Sequence, residues 1–508
     1  MCKRLFTFLN ILFLLLSLGT ISCGGSSGNG SGNSDGSGGG GNTGDHGGGG
    51  TGLEGLTSCT GSIPSFPGAE GFGACSSGAR SNSAQVVYVT NTNADGPGSL
   101  QAAVDVVGNK YIVFATSGVI NSDIIIKEPN MTIAGQTSPG GIVIHGGLIC
   151  DNVYDPYDCQ NIIVRHLRMR PGDSGAVQGD ALRVGGSSNF IGDHLSLENA
   201  TDEATEISRS KNVTLQNSIL AETLTDHNEN GGLLVNYSTS EHDLQNISLH
   251  HNVYVRLGGR TPAELSCELN TDGGLTPNCN AHHLNVEVSH NLVWDAQNPL
   301  YYNRCTGNND GNNCSSSDSN SQYLNLNWIG NLDVFKSGSD PLMMLADLNE
   351  TSGNLVYASG NQRMIGNGSL EDVNPSIASP SSTRLDFPEI TNTSTATLNS
   401  YVRSNNGAFP RDNMDARLMG YLSGSVEATP TITRGTAGTN PANDAYPSLS
   451  GTTLTDTDQD GMPDDWEVAH GLNPHVQDHN ETSLSSEGYS NLEVYLNELS
   501  DQRVLSGS

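Results

Sequence analysis

Eight short stretches of the chain share one design, and that design leaves few folds open. They read MTIAG, GIVIHG, NIIVRHLRMR, NFIGDHLSLEN, NVTLQNSIL, NISLHHNVYV, LNVEVSHNLVW and LNLNWIGNLDVF. Each alternates apolar and polar residues over the length of one strand and is bounded by Gly, Asn or Asp. Asn161, Asn189, Asn212 and Asn246 open four of them, at intervals of 28, 23 and 34 residues. An irregular period a little above 20 residues fits stacked coils joined by loops of varying length. A sandwich also has many strands, but it joins them by hairpin turns of the Asn-Gly type, and few occur here. The pattern therefore predicts an all-β chain wound as a parallel β-helix. Asn252, Asn291 and Asn331 sit at like positions after their strands and predict a ladder of stacked amides at one bend.

The flanks read differently. A strand is expected over 86–90, a short helix over 99–106 with Ser99 as its N-cap, and a second strand over 111–115. Such a helix would cover the open end of the first coil. A late strand pair is expected over 343–361, followed by Pro/Ser/Thr-rich irregular chain over 367–417 packed back along the coils. The domain limits read as a signal segment at 1–23, a Gly/Ser-rich tether at 24–57, the β-helix at 58–434, a linker at 435–452 and a small module at 453–508.

Net charge is −32. A surface this acidic excludes nucleic acid as partner, and it repels any polyanionic substrate unless a local cation offsets the field. Lys3 and Arg4 precede an apolar run from Leu5 to Leu18, too short for a membrane span, and Thr20-Ile21-Ser22-Cys23 resembles a bacterial lipoprotein cleavage site. That resemblance implies lipid on Cys23 and a protein anchored at the outer membrane or secreted, with the membrane contacted only through the lipid. The chain is read as a monomer. The other exported cysteines fall into close pairs, Cys59/Cys75, Cys150/Cys159, Cys267/Cys279 and Cys305/Cys314, and read as four local disulfides.

Chemistry concentrates between Gly179 and Arg260. Asp180 lies 22 residues before Asp202, close to one coil, and Asp202 lies four before Glu206. Stacking would bring such acids within about 5 Å, and clustered carboxylates call for a hard cation such as Ca²⁺. FPGAEGFG, VVYVTNTNADGPGSLQAAV, IAGQTSPGG, NIIVRHLRMRPGD, GDALRV, TDEATEISRSKNVTLQNSILAETL and LHHNVYVRLGGRTP resemble, in that order, the pectate lyases of polysaccharide lyase family 1. The resemblance covers about Phe66 to Trp328. It implies a right-handed parallel β-helix, Ca²⁺ as cofactor, and β-elimination of polygalacturonate. By that resemblance Asp180, Asp202 and Glu206 are the Ca²⁺ carboxylates and Arg260 is the catalytic base, which implies activity that rises in alkaline medium.

Three departures stand out. Gln178 replaces an acid two residues before Asp180, the loop 225–230 lacks a lysine, and Ala263, Glu264 and Leu265 occupy the place of a second arginine. His227 and Arg256 are the nearest substitutes for binding substrate carboxylates. The missing positive charge leaves two alternatives open: a lyase of methyl-esterified pectin, or a surface protein that binds polyuronate without cutting it. His250 and His251 read as packing residues.

A second constellation spans Asp456 to Glu467. It carries Asp456, Asp458, Asp460 and Asp464 at positions 1, 3, 5 and 9, Gly461 at 6 and Glu467 at 12, the pattern of an EF-hand loop. No long helix precedes it, a short one follows over 465–470, and 489–496 reads as a packing helix. Ca²⁺ is expected there in a structural role.

Overall fold

The repeat folds as coils of three strands. In the computed structural model the strands form three sheets, and within each sheet neighbouring strands are separated in sequence by the other two sides of a coil. The first sheet runs from Gln85–Val89 through Gln160–Arg165, Ser188–Asp193, Lys211–Gln216 and Gln245–His250 to Leu355–Ser359. The second has seven strands, among them Leu148–Asp151, Leu182–Gly185, Thr205–Ser208, Leu233–Asn236 and Glu264–Glu268. The third runs from Gly118–Ile120 to Leu370–Asp372. Neighbours pair in parallel, and only Leu370–Asp372 turns back antiparallel on Gln362–Met364 among the described strands. Parallel strands joined by crossovers take the right-handed course, and the result is a right-handed parallel β-helix.

The structure describes residues 59, 62–151, 159–172, 179–224, 231–239, 242–268, 283–296, 301–306, 323–334, 354–364, 368–373, 380–426 and 444–507. Cys23, His227, Cys279 and Cys314 lie outside them, and with them the expected lipid site, one expected substrate contact and two of the four expected cysteine pairs. The other two pairs, Cys59–Cys75 and Cys150–Cys159, are disulfides.

Two asparagine ladders stitch the coils together. Asn161, Asn189, Asn212 and Asn246 each adopt a left-handed backbone with φ of 54–59°. Each donates its amide to the asparagine one coil earlier, at 3.0–3.2 Å. The second ladder is the one expected at the far bend. The Asn291 amide donates to Asn331 Oδ1 at 3.0 Å, and the Asn331 amide to Asn361 Oδ1 at 2.9 Å. Asn is among the few residues that tolerate this backbone region, and the buried amides satisfy one another.

Alternation decides which residues face inward. Leu182, Val184, Phe190, Ile207, Val213, Leu215 and Ile247 fill the coil interior, and their sequence neighbours point outward. The outer face of the first sheet is covered twice. Phe66, Ala69 and Ala74 pack on Ile163 and Ile191. The C-terminal residues Met462, Leu492, Tyr495 and Leu496 pack on Ala84, Tyr111 and Ala134. The outer face of the third sheet is covered by two helices, Thr395–Asn405 and Asn413–Ser423, through Leu398, Val402, Met414 and Leu418. These helices fall where irregular chain was expected. The first buries only Leu398 and Val402 among Ser, Thr and Asn, the second buries Met414, Leu418, Met419, Tyr421 and Leu422, and both become helical against the surface that Ile219, Val253 and Trp294 offer. The helix Leu100–Val104, N-capped by Ser99, packs into the same core as the first coil.

The end of the chain is docked as well. Tyr446 donates to the Arg170 carbonyl at 3.1 Å, so the second half of the expected linker lies on the coils. The last helix, Asn491–Ser506, is longer than 489–496 and begins with a capping box between Ser490 and Glu493. None of these covers lies on the outer face of the seven-stranded sheet, and that face carries the first acid constellation.

Candidate active site and metal centres

One outward row crosses the seven-stranded sheet. Strand register aligns Ile149, Arg183, Glu206, Leu234 and Glu264 on successive coils. Just before these strands the turns stack in their own ladder. Ala181 N–H donates to the Glu203 carbonyl at 3.2 Å, Ala204 to Gly231 at 3.0 Å, and Gly232 to Gly259 at 2.9 Å. Asp180, Glu203 and Arg260 belong to those turns, so they border the row on one side.

The carboxylates of Asp180, Glu203 and Glu206 offer oxygens within 4.8 Å of one another. All three are buried. Glu203 N–H donates to Asp180 Oδ1 at 3.1 Å. Burial, and then the neighbouring Glu206 charge, push the Asp180 carboxyl well above the usual carboxylate range, while Arg183 opposes them. The Arg183 guanidinium lies 3.6 Å from Asp180 Oδ2 and 3.2 Å from Glu206 Oε1. Of the expected Asp180, Asp202 and Glu206, the first and last converge here together with Glu203. Asp202 stands beside the cluster, half-buried, with its N–H on the Gly179 carbonyl at 3.1 Å. Its charge is felt at Asp180, but Glu203 supplies the third converging oxygen. Gly179 makes the approach of Asp202 feasible, because a Cβ there would sit 2.8 Å from Asp202 Cβ.

Arg260 reaches this cluster from two coils away. Its Nη1 pairs with the Glu203 carboxylate, and its Nε with Glu264 Oε2 at 2.6 Å. The coil between them presents Gly231, where a Cβ would come within 2.5 Å of Glu203 Cγ. Glycine therefore leaves the space through which the arginine and the glutamate meet. Glu203 and Glu264 are the partners that pattern reading missed. Glu203 sits inside TDEATEI, and Glu264 lies in the stretch where a second arginine is expected.

Arg256 requires a correction. It closes a strand of the third sheet and is 8% exposed. It lies 3.9 Å from Glu222 and 3.9 Å from Asp295, with the Tyr421 ring near its guanidinium. Those charges bind it under the C-terminal helices, away from the row. His250 and His251 are buried with their Nδ1 atoms 3.0 Å apart, Glu70 joins them with ligand atoms within 4.8 Å of one another, and burial lowers the two imidazoles to about 3 and about 2.

The C-terminal acids form two groups that share a member: Asp456, Asp458 and Asp460, then Asp460, Glu467 and Asp478. Glu467 is 0% exposed, and neither of its carboxylate oxygens has a hydrogen-bond partner. Burial, then Asp460, Asp458, Asp478 and Asp456, push its carboxyl up to about 8. Asp464 does not join them. Its carboxylate accepts from Thr457 N–H and Oγ1–H, each at 2.7 Å. Asp478 lies beyond the 12-residue pattern and carried no signal in it.

No protein-family model matches the chain. Among curated relatives, the Aspergillus flavus protein named "Probable pectate lyase C" is 31% identical over 452 residues, covering 87% of this chain and 95% of the relative. The Emericella nidulans protein of the same name is 30% identical over 461 residues, covering 87% and 94%. Among solved structures, a thermostable pectate lyase aligns at 15% identity with a TM-score of 0.44, covering 67% of this chain and 97% of that one. At 30% identity across nearly the whole length of the relatives, the chain belongs to the pectate lyase family.

Proposed function

We propose that the chain cleaves polygalacturonate by Ca²⁺-dependent β-elimination, leaving 4,5-unsaturated ends, at the row and turns around Glu203. The observation that carries this reading is the Glu203 carboxylate, which belongs both to the acid cluster and to the ion pair with Arg260. The donor set fits Ca²⁺: it is all oxygen, it is buried, and its three anions outnumber the two flanking guanidinium groups, Arg183 and Arg260. Asp180, Glu203 and Glu206 would hold the ion, with Asp202 as the adjoining oxygen donor. When bound, Ca²⁺ draws charge from the substrate carboxylate and acidifies the adjoining C5 proton.

The chain's own groups do the rest. Arg260 in its neutral form takes the C5 proton as the C4–O bond breaks and the leaving oxygen takes a proton from water; contact with Glu203 and Glu264 fixes the guanidine plane beforehand. Arg183 stands in the same row and offers the cation that the loop 225–230 lacks, so it receives a neighbouring substrate carboxylate. The test is ultraviolet absorbance of the unsaturated product on polygalacturonate, with and without chelator. Wild type should lose activity on chelation and regain it with Ca²⁺. Arg260→Ala should lower kcat by roughly 10²- to 10⁴-fold. Undiminished turnover in Arg260→Ala, or in chelator, refutes this assignment.

A further inference from the structure

We propose that a divalent cation bound by Asp456, Asp458, Asp460, Glu467 and Asp478 is a clasp that locks the C-terminal helices onto the first coil. The site is built for a hard cation. Its donors are all carboxylates, and Glu467 is wholly buried with both oxygens unpartnered, as are both oxygens of Asp458. An oxygen cage of this size suits Ca²⁺, which takes about 6–8 oxygen ligands.

The clasp follows from what the ligands hold. On one side, Asp456 accepts from the Tyr88 hydroxyl, and Gly461 N–H donates to that same hydroxyl at 2.9 Å. Tyr88 belongs to Gln85–Val89, the first strand of the β-helix. On the other side, Asp478 N–H donates to Asp460 Oδ2 at 3.1 Å. The Asn491 amide donates to the Asp478 carbonyl at 3.1 Å and to its carboxylate at 3.2 Å. Asn491 is the first residue of the last helix. That helix lies along the outer face of the first sheet, where Ser500 receives Arg165 Nη2–H at 2.8 Å and Asn497 receives Nη1–H at 3.1 Å. One path therefore runs from Tyr88 through Asp456 to the cation, and from the cation through Asp478 and Asn491 to the last helix. Without the cation the acids repel one another across a buried centre, and both halves of the path loosen.

This shares no residue with the cluster around Glu203, so either proposal can fail alone. Hydrogen exchange on the full-length protein tests the clasp, with Tb³⁺ luminescence sensitised by Trp466 reporting occupancy. In Ca²⁺, amides of 491–506 and 85–89 should be protected, and chelation should expose both. Asp478→Asn should raise the Ca²⁺ concentration for half-protection of 491–506 by roughly tenfold or more. Tyr88→Phe, which leaves every proposed ligand in place, should expose 85–89 while Tb³⁺ still binds. If Tb³⁺ luminescence is the same in wild type and Glu467→Gln, the site is overturned. If 491–506 exchanges equally with and without Ca²⁺ while Tb³⁺ binds, the clasp is overturned.

Discussion

An ammonium inside a folded chain must answer for its hydration. Lys110 is fully buried at the start of a strand, where its Nζ donates to the Gly108 and Pro129 carbonyls at 3.2 and 3.3 Å. Burial lowers it to about 8, against the opposing charges of Glu128 and Asp105. The free lysine value is about 10.4. Between pH 8 and about 10.4 the unfolded chain therefore binds more protons than the folded one, and stability rises with pH across that window. Below pH 8 the whole penalty applies, on the order of 3 kcal/mol. Replacing Lys110 with Met should remove this dependence. Denaturant unfolding at pH 7.5, 9 and 10 should show the wild type gaining on the variant as pH rises, and a constant gap would refute the assignment. At this same scale the meeting of Asp180, Glu206 and Arg260 was legible, because each stands in a stretch that resembles a family motif. Glu203 was not, since its neighbour Asp202 is the residue that fits the motif. Asp478 was illegible for a different reason: it meets Asp460 through a fold-back of the chain, after the loop pattern has ended.

Elements dock here through charge as well as through apolar stripes. The helix Asn413–Ser423 starts at Asp412, whose side chain caps Asp415 N–H. Arg168 and Arg170 rise from the strand repeat to meet it, both fully buried. Arg168 Nε lies 2.9 Å from Asp415 and 3.3 Å from Asp412, and Arg170 binds Asp412 at 2.7 Å and Glu198 at 2.5 Å. Burial raises the Asp412 carboxyl, but the two guanidinium groups overcome it and hold it well below the usual range. Removing Asp415 strips Arg168 Nε of its partner at 2.9 Å and Arg170 Nη2 of one at 3.3 Å, inside a fully buried network. Asp415→Ala should cost about 3–5 kcal/mol in denaturant unfolding, and a loss below about 1 kcal/mol would show that the network is not what docks the helix. The strands and their ladders were readable because asparagine and alternation repeat coil after coil. The two helices were not, since each is stabilised by a surface that exists only once the coils have formed.

Across the whole molecule, charge governs how a substrate approaches: the net value is −32, from 22 basic and 54 acidic residues. Polygalacturonate is itself a chain of carboxylates. The two repel at long range, while Arg183 and Arg260 act only within a few ångströms of the row. Salt separates these contributions, because the screening length shrinks from about 30 Å at 0.01 M to about 8 Å at 0.15 M. Long-range repulsion should fade over that interval, and contacts at the row should persist. At saturating Ca²⁺, KM for polygalacturonate should therefore fall as NaCl rises from about 0.01 to 0.15 M, with kcat unchanged. Heavily methyl-esterified pectin, which carries little charge, should show no such shift. A KM that rises with salt would mean that the arginines of the site, and not the acidic envelope, govern how this substrate arrives.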